Sequence, residues 1–202
     1  MSIKIKLQNV RLSYPALHKP RTYKANKDST PKYSVTCLLD PKKNKKDIEA
    51  IETAMEDLIE EEFKGKKPKG MRVILKDGND KTDDDDNVSD GYEDMMYIKA
   101  SSKKKPIVVD RDLTPLGEDD TRPYGGCYGN VSIRMYAQNN DFGRHINITL
   151  LAVQFAGDGE AFGDSAVNAE DEFEDLESDG GSKKSKKSKK RSRDEDDDED
   201  ML

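Results

Sequence analysis

The stretch Cys127-Tyr128-Gly129-Asn130-Val131-Ser132-Ile133-Arg134-Met135-Tyr136-Ala137-Gln138 decides the fold. Cys127, Gly129, Val131, Ile133 and Met135 share one parity; Tyr128, Asn130, Ser132, Arg134 and Tyr136 share the other. Successive side chains of a strand point to opposite faces, so the first set is a core face and the second faces outward. The outward set carries an aromatic ring near each end and a cation between them.

Reading outward, the neighbouring segments are short strands as well. Arg144–Phe155 follows Asp141-Phe142-Gly143, a hairpin loop with Gly where positive φ is needed. Ile107–Val109 follows Pro106, Met95–Ala100 follows an acidic loop, and Met71–Lys76 ends at Asp77-Gly78. Lys32 to Leu39, Lys-Tyr-Ser-Val-Thr-Cys-Leu-Leu, is β-branched and aromatic. At the N-terminus, Ile3, Ile5 and Leu7 alternate with Lys4, Lys6 and Gln8. Val10 and Leu12 fall on the opposite parity, which places a bulge near Asn9. Tyr14-Pro15 ends this strand, and residues 18–31 read as a polar, basic loop. One segment has helical spacing: Ile48, Ile51, Met55, Leu58 and Ile59. Asp40-Pro41 resembles its N-cap and Gly65 its C-cap, giving one amphipathic helix from about 42 to 64. Several strands with a single helix argue for a small barrel or sandwich rather than an alternating α/β sheet.

Charge is divided unevenly along the 202 residues. The net charge is −7, yet residues 1–156 sum to +2 and residues 157–202 to −9. Residues 1–46 hold 12 Lys and Arg against Asp28 and Asp40, a balance of +10. A bulk acidic charge therefore does not exclude a polyanionic partner. From Gly157 the chain changes character. Ten acids and no base lie in 158–179, Lys183 to Arg193 is a Lys/Ser/Arg tract, and 194–200 are seven consecutive acids before Met201-Leu202. Such segments bury too little apolar surface to offset ordering entropy, so this tail is expected to be disordered.

Catalytic signatures are weak. Asp83-Asp84-Asp85-Asp86 fails as an EF-hand, because counting back from Gly91 puts Val88 where an oxygen ligand is required. Consecutive loop acids do not converge from separate strands as a nuclease site needs. There is no Gly-rich phosphate loop with its Lys and no Gly-x-Ser-x-Gly. Cys37, Cys127, His18 and His145 are isolated, so the cysteines read as buried free thiols and no metal or other cofactor is expected. No apolar stretch approaches the roughly 20 residues of a membrane span. Taken together, a cytosolic binding protein rather than an enzyme is expected, or a nuclear one if the host is eukaryotic.

Single-stranded nucleic acid is bound by aromatic platforms and cations along a groove. The candidates are Tyr128, Arg134 and Tyr136 on the decisive strand, Tyr97 and Lys99 on 95–100, Lys32 and Tyr33, and Lys4, Lys6 and Arg11. Ser101-Ser102-Lys103-Lys104-Lys105 adds a basic loop. The competing reading of Tyr128 and Tyr136 is that they cap the barrel with their hydroxyls in water.

Four stretches resemble a family of phage-encoded single-stranded DNA-binding proteins. They are Pro-Lys-Tyr-Ser-Val-Thr-Cys-Leu-Leu-Asp (31–40), the Tyr97–Asp110 stretch, Tyr-Gly-Gly-Cys-Tyr (124–128) and Leu-Leu-Ala-Val-Gln-Phe-Ala-Gly-Asp-Gly-Glu (150–160). The resemblance runs from about residue 3 to 163. It implies an OB fold; joined to the strand, helix and tail readings above, the expectation is a mainly β chain, an OB-type small β-barrel with one amphipathic helix, plus the disordered C-terminal tail. It also implies DNA coating in viral replication and recombination, no cofactor, and a bacterial host cytoplasm. The Asp-rich loop at 83–90 and the Lys/Ser segment at 183–193 depart from the family pattern. The expected division is a domain at 1–163 and a tail at 164–202. Asp196, Asp197, Asp198, Glu199, Asp200, Met201 and Leu202 resemble the acidic, apolar-ended tails that recruit replication proteins. Two other readings compete: a nuclear acidic chaperone-like protein binding basic partners, suggested by the Lys-Lys-Ser-Lys-Lys tract, and a metal-dependent nuclease.

Overall fold

A computed structural model describes residues 1–22, 30–83, 85–140 and 143–162. The expected tail at 164–202, including Asp196 to Leu202, lies outside the described residues, as do Asp84, Asp141 and Phe142. Among the described residues, seven strands and one α-helix run in the order β1 (Ser2–Arg21), β2 (Lys32–Leu39), α1 (Lys45–Phe63), β3 (Lys76–Asp77), β4 (Met96–Ser102), β5 (Ile107–Val109), β6 (Tyr128–Asn140) and β7 (Gly143–Gly157). The sheet order is β3-β4-β2-β1-β6-β7-β5, and a parallel β4–β7 pairing, Ser101 opposite Thr149, closes it. Five strands thus form a barrel, β1-β2-β4-β7-β6, the small closed architecture of the OB fold. Two short edge strands, β3 and β5, extend it.

The parity of the decisive strand holds throughout. Cys127, Gly129, Val131, Ile133 and Met135 are buried, and the opposite set is exposed or half-buried. Val35, Cys37 and Leu39 from β2, Ile98 and Ala100 from β4, and Leu150, Val153 and Phe155 from β7 fill the same core. Full burial of a Val, Leu, Ile, Phe or Met side chain such as these contributes about 1.5–3 kcal/mol. Burial pushes the Cys37 thiol up to about 12 and the Cys127 thiol up to about 11, so both are neutral thiols in the core. The β6–β7 hairpin closes between Asn140 and Gly143, where Gly143 has φ +117°. The bulge near Asn9 is present: the register slips between Leu7 and Val10, Asn9 has φ +49°, and its N–H donates to Asn130 Oδ1 at 2.9 Å.

Three boundaries differ from expectation. First, β1 does not end at Tyr14-Pro15; it runs on to Arg21, into the span read as a loop. A second bulge between Ser13 and Ala16 absorbs the proline, which cannot donate to a ladder. Second, Asp40 does not cap α1. Its carboxylate accepts the N–H groups of Lys42 and Lys43 at 2.8 and 3.3 Å, folding a separate turn, and these bonds hold its carboxyl below its ordinary pKa. The helix starts at Lys45, after Asn44, whose amide donates to Gln8 O and Asp47 Oδ2. Third, Met71–Lys76 is not a strand; only Lys76–Asp77 pair with β4. Met71 and Ile74 are buried in the core without a ladder.

Helix α1 buries Ile51, Ala54, Leu58 and Phe63 in the barrel core, with Ile48, Met55 and Ile59 packed around them. It ends as Lys64 and Gly65 turn left-handed, Gly65 N–H donating to Ile59 O at 3.2 Å.

Candidate nucleic-acid interface

Residue pairing fixes what lies outside the barrel. On the face of β2 and β4, Ser34, Thr36, Lys99 and Ser101 point outward, opposite one another across the ladder. The segment between α1 and β4 arches over this face and brings Arg72, Lys76 and Lys81 to it. The open ends of β6 and β7 supply Tyr136, Ile146, Asn147, Ile148 and Thr149 as the far wall. The result is one open groove of about 850 Å³. Six cations line it: Lys32, Arg72, Lys76, Lys81, Lys99 and Lys103. Four tyrosines join them, Tyr14, Tyr92, Tyr97 and Tyr136, and no carboxylate is among the described lining residues.

The tyrosines have different roles. Tyr92 is 2% exposed and its hydroxyl donates to Ser13 Oγ at 3.1 Å, so it ties the arching segment to β1. Its ring meets Tyr97 edge-on at a centroid distance of 5.3 Å, which braces Tyr97 in the groove wall. Lys76 Nζ stands 6.0 Å from the Tyr97 ring centroid. Burial, with the Asp80 carboxylate adding to it, raises the Tyr97 hydroxyl pKa, so this ring is neutral at physiological pH. Tyr14 is 59% exposed. A groove with cationic walls and open aromatic faces can hold a phosphate backbone and stack its bases.

The sequence-predicted residues divide among four places. Lys32, Tyr97, Lys99 and Tyr136 come together in the groove. Lys4 and Arg134 sit opposite each other, with Thr149 of the groove wall opposite Arg134. They and Lys6 therefore continue the same outward face around the barrel. Arg11 and Tyr128 line a second, smaller pocket of about 310 Å³ with Lys43 and Met95. Tyr33 is half-buried on the opposite parity to Lys32 and Ser34 and lines neither. Sequence reasoning missed Arg72, Lys76, Lys81 and Tyr14, none of which stands in a local basic-aromatic pattern.

Arg11 is engaged within the fold. Its guanidinium donates to Gly126 O at 3.1 Å and Glu160 O at 2.9 Å and lies 4.3 Å from the Phe162 ring centroid. Phe162 N–H donates to Gly125 O at 3.0 Å, and Tyr124 Oη donates to Gly159 O at 2.9 Å. The segment 158–162 is thereby strapped to the barrel. The Phe162 ring fills the space that a Cβ on Gly91 would take, and Gly91 precedes groove-lining Tyr92. In the acidic loop, Asp83 Oδ1 accepts the N–H groups of Asp85 and Asn87 and folds the loop on itself. Among the described residues, no helix is long and apolar enough to cross a membrane.

Comparison with known proteins agrees with this geometry. A family model described as Enterobacter phage Enc34, ssDNA-binding protein, matches residues 3–183. Protein p50 of Acyrthosiphon pisum secondary endosymbiont phage 1 is 35% identical over 183 residues, covering 86% of this chain and 94% of that protein. The solved single-stranded DNA-binding protein of bacteriophage Enc34 in complex with ssDNA superposes with a TM-score of 0.66 at 33% identity, over 79% of this chain and 89% of that one. A C-terminally truncated form of the Enc34 protein gives 0.65 at 32% identity, over 79% and 88%.

Proposed function

The chain belongs to the family of the Enterobacter phage Enc34 single-stranded DNA-binding protein, and from that premise we propose that it binds single-stranded DNA irrespective of sequence in the groove over β2 and β4. The observation that carries the reading is the groove's lining: six cations with exposed Tyr14 and half-exposed Tyr97 and Tyr136, and no carboxylate among the described lining residues. OB barrels bind oligonucleotides on the face of their second and third strands and the adjoining loops. Here those strands are β2 and β4, and the adjoining β6–β7 end forms the far wall. The family is one of binding proteins, and this one transforms no substrate. Lys4, Lys6 and Arg134 extend the backbone path beyond the groove. Arg11 and Tyr128 would serve strands long enough to pass the strap.

In the infected bacterial cytoplasm the protein coats and protects single strands during viral replication, recombination or repair. The domain at 1–163 does the binding. The acids of the tail compete for the groove when DNA is scarce, and the terminal acids with Met201-Leu202 recruit replication partners when DNA displaces them. Support for the first half is positional: Phe162, where the strapped segment ends, packs beside Gly91 and thus next to Tyr92 of the groove. The tail is tethered there.

Titration of fluorescent oligo-dT, a mixed-sequence single strand and a duplex against the full chain tests the binding. Similar affinities for the two single strands are expected, with the duplex much weaker. Preference for one sequence, or equal affinity for the duplex, would overturn the reading. Capture of basic proteins without any single-strand binding would favour the acidic-chaperone alternative.

A further inference from the structure

Tyr14 occupies a backbone conformation that its own chemistry disfavours. Its φ is +47°, in the left-handed region where a Cβ crowds the chain and a bulky residue is an outlier. It also precedes Pro15, whose ring disfavours helical conformations at the residue before it. Glycine would occupy the position without strain. The bulge between Ser13 and Ala16 imposes this conformation, because one extra residue of β1 must be accommodated against Thr36 and Ser34 of β2. What the strain achieves in the fold is little: the ring is 59% exposed and contributes no buried surface comparable with a core tyrosine. What it achieves at the surface is specific: Tyr14 lines the cationic groove, on the same barrel face as Thr36 and Lys99.

Strained residues that surrounding structure holds in place cluster at functional sites, and the inference runs from the outlier to a role. We infer that Tyr14 is a base-stacking platform of the groove, held proud of β1 by its strained bulge so that a DNA base can lie against its ring. This rests on the single-strand binding proposed above and adds a position that neither the strand parity nor the basic clusters single out. The neighbouring Tyr92 hydroxyl bond to Ser13 fixes the bulge from below, so the ring is preorganised rather than recruited. Its partners in the groove are Tyr97 on β4 and Tyr136 on the far wall. Stacking tolerates every base, which fits binding without sequence preference.

The strain makes the role separable from a packing role. Tyr14→Gly in the full chain removes the ring and relieves the left-handed backbone. The melting temperature is expected to stay the same or rise, while oligo-dT affinity falls about 5- to 150-fold, the equivalent of ~1–3 kcal/mol for one stacked base. Tyr14→Phe keeps the ring and should bind within about two-fold of the parent. The sequence contains no Trp, so Tyr14→Trp places a single reporter at the site. Its fluorescence should be strongly quenched when oligo-dT saturates the protein. Parental affinity in the Gly variant, or an unquenched Trp in a saturated complex, would overturn the assignment. A Gly variant that loses thermal stability in step with affinity would show the ring to be a packing element, which overturns it equally. If the parent itself fails to bind single strands, the functional reading falls and this role with it.

Discussion

Raising monovalent salt from 50 to 200 mM is expected to weaken oligo-dT binding by about 300-fold. Single-strand binding loses affinity with a log–log slope of about −0.7 per phosphate neutralised, because each contact releases condensed counterion. If the six groove cations, Lys32, Arg72, Lys76, Lys81, Lys99 and Lys103, each meet a phosphate, the slope is about −4. The chain's net charge of −7 points the other way and would suggest repulsion from a polyanion. Local geometry decides, since charges beyond roughly one Debye length, about 10 Å at 0.1 M, are largely screened from the groove. Equilibrium titrations at four or more salt concentrations measure the slope directly. A slope near zero would mean that the bound strand does not touch these cations.

Truncation after residue 163 is expected to tighten oligo-dT binding, by about ten-fold or more at low salt and by little at high salt. The removed segment carries most of the −9 charge of residues 157–202. On the proposed competition, acids joined to the barrel through the strapped Phe162 would act at an effective concentration of up to about millimolar, the value for a short flexible linker. On that proposal they imitate a phosphate backbone but offer no bases to stack, so long single strands are expected to displace them. Of the acids removed, those up to residue 179 should compete more strongly than those at 194–200, which the Lys183–Arg193 tract can pair with. Anisotropy titrations of the two chains at matched salt check this. Weaker binding of the truncated chain at every salt concentration would make the Lys tract a second DNA site and remove the competition.

Local pattern carried much of the fold. Strand parity over 127–138 identified both faces of β6, the parity flip at Asn9 located a bulge, and Gly143 marked the hairpin. What misled was local chemistry that tertiary structure overrides. Pro15 signals a strand end, yet a bulge lets the strand pass through it. Met71, Val73 and Leu75 alternate as a strand does, yet they lie in an irregular arch.

The site was legible only in part for a related reason. Parity tells which side chains leave the barrel but not which region of its surface they reach. Tyr128 and Tyr136 share a parity and lie eight residues apart, ~26 Å along an extended strand. Tyr136 consequently reaches the groove while Tyr128 lines the other pocket. Arg72, Lys76 and Lys81 arrive from an arch between α1 and β4, and only the folded chain sets them opposite Lys99. Arg11 stands in the basic N-terminal pattern, and nothing local in the sequence shows that its guanidinium also holds Gly126 O, Glu160 O and the Phe162 ring.

On the function proposed above, single-stranded DNA lies in the groove over β2 and β4. Photo-crosslinking of the full chain to an oligonucleotide carrying 5-iododeoxyuridine, with the adducts located by peptide mass spectrometry, tests it most directly. Adducts are expected on Tyr14, Tyr97 and Tyr136, all lost in excess unlabelled oligo-dT. Adducts confined to Tyr33, Tyr128 or the helix face, with these three tyrosines unmodified, would place the DNA elsewhere and contradict it.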